Sequence, residues 1–102
     1  MRKLFQQAAQ AAPSIVFIDE IDAIGRKRRG SGEAERVSDE ALNELLTQMD
    51  GFDSTESGVM VMAATNLVDV LDPALVRSNR FDRIIECPLP NRFAIISCHH
   101  QH

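Results

Sequence analysis

Residues 14–22 read Ser14-Ile15-Val16-Phe17-Ile18-Asp19-Glu20-Ile21-Asp22. Four apolar residues in succession run straight into two adjacent carboxylates. A continuous apolar run lacks the alternation of a half-solvated strand, which predicts a parallel strand covered on both faces. In an open α/β sheet, ligands sit beyond the carboxyl ends of the strands. Asp19 and Glu20 are therefore expected where a ligand belongs. One carboxylate can hold a hydrated magnesium ion, and the next can orient or deprotonate a water. The alternative is a buried strand that ends in a solvated acidic turn.

Upstream, Leu4, Phe5, Ala8, Ala9 and Ala12 recur at helical spacing, and Pro13 stops that helix. Downstream, Gly25 to Arg36 reads GRKRRGSGEAER, expected to be an exposed loop or linker. A nucleic-acid patch is disfavoured there, because acids follow at once and no aromatic residue interleaves. A second helix is expected with Ser38 as its cap, and Asp39 and Glu40 at the positive end of its dipole. Its buried stripe is Ala41, Leu42, Leu45, Leu46 and Met49, and Gly51 is placed to end it. Val59 to Ala64 is a second apolar run, leading into Thr65 and Asn66. Asp72 followed by Pro73 marks a helix start that carries Leu75, Val76 and Arg77. Ile84 to Cys87 is expected as a third short strand before Pro88 and Pro90. The order predicts an α/β layered sheet with parallel strands.

The 102 residues suffice for one small domain with a core. A net charge of −4 argues against broad nucleic-acid binding. Cys87 and Cys98 have no metal-ligand spacing, so free thiols in a reducing compartment are expected. The apolar runs are too short to span a bilayer, and the first residues do not form a signal peptide.

The two apolar runs deliver Asp19, Glu20 and Asn66 to one sheet edge. Arg77 and Arg80 share a helix face if the short helix extends through both. Phosphoryl transfer calls for a metal-holding acid, a water-positioning group, a polar sensor and a cation for developing charge. All four residue types are present. Asn66 taken alone could equally cap a turn. Asp22 could be a second acid of the site or cap the turn after the strand, and Asp82 and Arg83 are expected to pair locally.

SIVFIDEIDAIG, LNELLTQMDGF, VMVMAATN and VLDPALVRSNRFDR together resemble the AAA ATPase family over residues 1–92. IDEIDAIGRKR is most similar to the FtsH-type ATP-dependent metalloproteases, while DGFDS and IIECPLP also resemble the proteasomal regulatory ATPases. The resemblance implies that Asp19 is the Walker B acid supporting magnesium and Glu20 activates the attacking water. It implies that Asn66 reads the terminal phosphate, and that Arg77 and Arg80 are fingers offered to a neighbouring subunit. It also implies ATP and Mg2+ as cofactors, with zinc only if a downstream protease domain exists. The implied machine is a hexameric ring that unfolds, translocates or degrades protein substrates. No nucleic-acid partner is implied, and a membrane only through segments absent here. Location in the cytoplasm or at an organelle membrane face is left open.

The sequence also departs from that family. It contains no GxxxxGKS or GxxxxGKT loop to cradle phosphates. In the family that loop lies upstream, so this polypeptide alone is expected to bind ATP weakly or not at all. The expected fold is a partial P-loop NTPase-type three-layer parallel sheet without the phosphate-loop strand, in which the third strand has no neighbour. Marginal stability in isolation follows. A truncated, non-hydrolytic interaction module is the alternative to the enzyme. Between the paired arginines stand Ser78 and Asn79, where the family has proline and glycine, and Asn79 can adopt the left-handed conformation. Residues 93–102 form a divergent tail, and His99, His100 and His102 are not expected to hold a metal.

Overall fold

The stripe Phe5, Ala8, Ala9 folds as expected into helix α1 (Arg2–Gln10), which stops before Pro13. The computed structural model describes residues 1–27, 32–52 and 54–89. Strand β1 (Ser14–Ile18) follows, then a 3₁₀ turn (Ile21–Ala23), helix α2 (Glu33–Gly51) and the single turn α3 (Ser54–Ser57). Strand β2 (Val59–Ala63) leads to two further 3₁₀ turns, Val68–Val70 and Pro73–Val76. The strands pair in parallel, from Ser14 opposite Val59 to Ile18 opposite Ala63. The α/β class with a parallel sheet is as the sequence implied.

The core lies on one side of that sheet. Phe5 from α1, Leu42, Leu45 and Met49 from α2, Val16 and Val59 from the strands, and Ile21 and Leu75 from the turns are all buried. Full burial of such side chains contributes about 1.5–3 kcal/mol each before chain entropy is set against it. Phe5 also packs on Phe52, with ring centroids 5.6 Å apart.

No described element covers the other sheet face. Ile15, Phe17, Met60 and Met62 remain 62%, 59%, 57% and 43% exposed. Their register makes them one patch, Ile15 beside Met60 and Phe17 beside Met62. The expectation of coverage on both faces is therefore corrected. The run of apolar residues suits a doubly covered strand, but the described helices α1 and α2 both contribute to the single core on the opposite face.

Three local expectations are also corrected. No strand forms at Ile84 to Cys87, because nothing in the described chain offers it a ladder, and Ile84 and Ile85 stay 65% and 81% exposed. Helix α2 starts at Glu33 rather than after Ser38, since Glu33, Ala34, Glu35 and Arg36 are good helix formers and extend it by over a turn. The stretch from Gly25 is not wholly a solvated linker. Gly25 is buried, and Arg26 bridges Leu71 while the Lys27 amide donates to the Val70 carbonyl at 2.8 Å. The remainder of the basic cluster, residues 28–31, and the tail with Cys98 and its three histidines lie outside the described residues.

Candidate active site

Parallel pairing sends both strands out of the sheet at the same end, and the ladder continues beyond them. The Ala64 amide donates to the Ile18 carbonyl at 2.9 Å, and the Ile21 amide donates to the Ala64 carbonyl at 3.0 Å. Asp19 and Glu20 thus leave β1 beside the segment in which Thr65 and Asn66 leave β2.

Asp19 is exposed and accepts the Glu20 backbone amide on Oδ1 at 2.9 Å, which fixes its carboxylate relative to its own turn. Glu20 is exposed and sits at φ 51°, ψ 48°, in the left-handed region. That conformation costs a residue with a Cβ roughly 1–2 kcal/mol, so neighbouring structure must hold it. Buried Ile21 supplies the anchor, and the Ala23 amide donates to the Glu20 carbonyl at 2.9 Å. The acid pair is therefore aimed into solvent by a strained turn fixed to the core.

Asn66 is exposed, and no described group hydrogen-bonds its side-chain amide. Its turn is closed by its neighbour instead. Thr65 Oγ1 accepts the Leu67 amide at 3.0 Å and donates to Asp22 Oδ1 at 2.7 Å. The alternative in which Asn66 caps a turn therefore loses its motive. Asp22 likewise does not cap its own turn. It reaches across to the end of β2.

Arg77 and Arg80 are separated in role. The 3₁₀ turn begins as predicted, with Asp72 Oδ1 accepting the Ala74 amide at 2.9 Å and Pro73 in first place, but it ends at Val76. Arg77 is already extended at φ −87°, ψ 164°, so the two arginines do not share a helix face. Arg77 is exposed without a described partner. Arg80 turns inward: Nε and Nη2 donate to Asp50 Oδ1 and Oδ2 at 3.0 and 2.8 Å, and Nη1 donates to the Ala74 carbonyl at 2.8 Å. The Arg80 guanidinium hydrogen-bonded to Asp50 holds that carboxyl below the usual carboxylate range, against a weak opposing effect of burial. Asp82 and Arg83 are both exposed, and no described ion pair joins them.

An open groove of about 490 Å³ runs between α1 and α2, lined by Arg2, Gln6, Glu44 and Phe52 among others. None of the acid-pair or sensor residues lines it. Two contributors escaped the reading of the sequence, Thr65 and Asp50. A hydroxyl residue immediately before Asn66 at a strand end was the available signal for the first. The second had no signal short of the fold, since thirty positions separate Asp50 from Arg80.

The family described as "ATPase family associated with various cellular activities (AAA)" matches residues 1–89. The chain is 53% identical over 102 residues to an ATP-dependent zinc metalloprotease FtsH of Mesoplasma florum, covering 97% of this chain and 15% of that protein. It is 55% identical over 105 residues to the FtsH of Cyanidium caldarium, covering 97% and 17%. It is also 55% identical over 92 residues to a proteasome-activating nucleotidase of Saccharolobus solfataricus, covering 89% and 23%. The chain thus spans less than a quarter of the length of each of these relatives.

Proposed function

This chain belongs to the family of ATPases associated with various cellular activities, and on that premise we propose that it supplies the hydrolytic acids, phosphate sensor and arginines of an ATP-driven machine. The observation that carries the reading is the shared strand end, where the turns bearing Asp19–Glu20 and Thr65–Asn66 are hydrogen-bonded to one another.

In this reading Asp19 holds a hydrated magnesium ion through its exposed carboxylate. Among the described residues no group of three or more His, Cys, Asp or Glu could hold a metal ion. A single acid suits magnesium, which keeps several waters and takes its other ligands from phosphates. Magnesium, when bound, neutralises charge on the phosphate oxygens. Glu20 orients a water and takes its proton as the water oxygen bonds to the terminal phosphorus and the bond to the leaving phosphate breaks. Asn66 donates its amide to the terminal phosphate. Arg77, exposed as it stands, faces a neighbouring subunit, and Arg80 joins it only when its grip on Asp50 opens. A finger of this kind contributes roughly 10³ to 10⁵ in rate where it has been dissected. Residues 1–92 form the partial ATPase subdomain and 93–102 its divergent tail.

The likeness to proteins named ATP-dependent zinc metalloprotease and proteasome-activating nucleotidase supports coupling of hydrolysis to protein unfolding or proteolysis. Assembly into a hexameric ring of like subunits belongs to the same proposal. The phosphates themselves need a cradle, and this sequence has no glycine–lysine loop to make one. The test is therefore a graft, with this chain replacing the matching segment of the Mesoplasma florum relative. Glu20→Gln in the graft is expected to abolish phosphate release while ATP binding persists, and undiminished release overturns the assignment.

The exposed apolar sheet face favours a second reading, a non-hydrolytic interaction module. Calorimetric titration of the folded chain with Mg-ATP separates the two. Absence of binding heat favours the module, and steady phosphate release favours the enzyme.

A further inference from the structure

The hydrogen bonds that join the two rim turns pass through residues to which the hydrolytic reading gives no part. Thr65 Oγ1 donates to Asp22 Oδ1 at 2.7 Å and accepts the Leu67 amide at 3.0 Å. One hydroxyl thereby closes the turn that presents Asn66 and straps that turn to the 3₁₀ turn following Glu20. Both residues are half-buried.

We propose that Asp22 and Thr65 are positioning residues, which set the distance between the phosphate sensor Asn66 and the water-activating Glu20. The inference rests on the hydrolytic reading of the rim. Its physical basis is the geometry of the two turns. Glu20 is held in a left-handed conformation that its own backbone disfavours, and Asn66 stands on an exposed turn where no described residue hydrogen-bonds its side chain. Among the described residues, backbone hydrogen bonds pin Ala64 to Ile18 and Ile21, and the chain is next tied back to the loop after Glu20 only at Asp69 and Val70, through Lys27. Asn66 lies between those two anchorages. The hydroxyl–carboxylate bond lies one residue beyond Ala64 and is the tie nearest to Asn66. Catalytic groups misplaced by about 1 Å can lose roughly 100-fold in rate, so a strap of this kind acts on turnover more than on affinity.

Four variants test the strap, all in the graft: Thr65→Val, Thr65→Ser, Asp22→Ala and the Thr65→Val/Asp22→Ala double. Thr65→Val removes both hydrogen bonds at nearly constant volume, and is expected to lower kcat roughly tenfold with KM changed less than about twofold. Thr65→Ser keeps the hydroxyl and is expected to restore kcat. Asp22→Ala reaches the strap from the other side and is expected to lower kcat similarly. The double variant should then be no worse than the poorer single, since both remove one interaction. In the isolated full chain, exchange of the Leu67 amide should quicken in Thr65→Val and not in Thr65→Ser.

Glu20→Gln is measured beside them. If it abolishes turnover while Thr65→Val and Asp22→Ala leave kcat unchanged, the strap is refuted and the hydrolytic reading stands. A Glu20→Gln graft that still turns over removes both. A fall in kcat that Thr65→Ser does not rescue, or that is strictly additive in the double variant, also overturns the strap. Should Thr65→Val fail to fold, Asp22→Ala and Thr65→Ser carry the same decision.

Discussion

Arg80 grips Asp50 at two points, Nε on Oδ1 and Nη2 on Oδ2, and so ties the end of the arginine-bearing segment to the last turn of α2. The Arg80 side chain is 16% exposed and that of Asp50 is 55% exposed. Exposed ion pairs contribute little in general, but a two-point grip reinforced by the Ala74 carbonyl is the favourable geometry. Because the folded carboxyl of Asp50 titrates below its ordinary range, its contribution is fully present above the unfolded value, near pH 4. It is lost as pH falls through the depressed folded value. Arg80, hydrogen-bonded to Asp50, is held above its ordinary value and stays charged throughout. Asp50→Asn should therefore lower the denaturation midpoint modestly at pH 7 and converge with the parent in acid. A difference that does not shrink on acidification, or none at pH 7, contradicts the assignment.

What the sequence made legible is local. Asp72 and Pro73 announce a helical turn because one side chain caps and the other presets φ, and both are found doing so. Asn79 stands at φ 65°, as its tolerance for the left-handed region implied. The rim was legible because two apolar runs each ended in a polar residue. The failures involve partners distant in sequence. The length of the Pro73 turn, the burial of each sheet face and the pairing of Ile84–Cys87 depend on which other elements are present. Propensity is silent on that. Ser38 misled as a cap because the residues before it are themselves helix formers.

Gly25 fixes the second prediction. A Cβ there would meet Leu75 Cδ1 at 2.5 Å and the Ile21 carbonyl at 3.0 Å, and Leu75 is fully buried. The Gly25 carbonyl also accepts the Asp72 amide at 2.7 Å, docking the arginine segment on the loop after the acid pair. Gly25→Ala should destabilise the chain by about 1–3 kcal/mol through overpacking. Coupling with Leu75→Ala in a double-mutant cycle checks that Leu75 is the obstacle, since the pair should be less harmful together than their sum.

The exposed sheet face predicts solution behaviour. Ile15, Phe17, Met60 and Met62 make one exposed apolar patch, and among the described residues no further strand pairs with the outer edges of β1 and β2. Such a surface drives association. Sedimentation of the isolated chain should show mass rising with concentration, and Phe17→Lys or Met60→Lys should suppress it. Neither side chain belongs to the core, so the denaturation midpoint of the monomer should hold. Association unaffected by either substitution would place the sticky surface elsewhere.

Glu20 and Asn79, the non-glycine residues at positive φ among the described residues, should differ in activity rather than in stability when replaced by glycine. At Glu20 the strained turn presents a carboxylate to the rim, so Glu20→Gly relieves roughly 1–2 kcal/mol of backbone strain while costing about 0.5–1 kcal/mol in glycine entropy. The net expectation is a chain as stable as the parent or slightly more so, with no turnover in the graft. Asn79 already tolerates its φ of 65°, so Asn79→Gly should be close to neutral for both stability and turnover. Asn79→Val, branched at Cβ, should destabilise by about 1–2 kcal/mol and loosen Arg80, whose amide donates to the Arg77 carbonyl across this turn at 3.1 Å. Thermal melts and phosphate release on the same set of variants distinguish the cases. Strain retained for function separates the two readouts at position 20, where stability holds as activity vanishes. Strain that merely shapes a turn moves them together at position 79. A marked loss of stability in Glu20→Gly would show that its carboxylate supports the fold, and would withdraw the argument that the turn is held in tension for the sake of the rim.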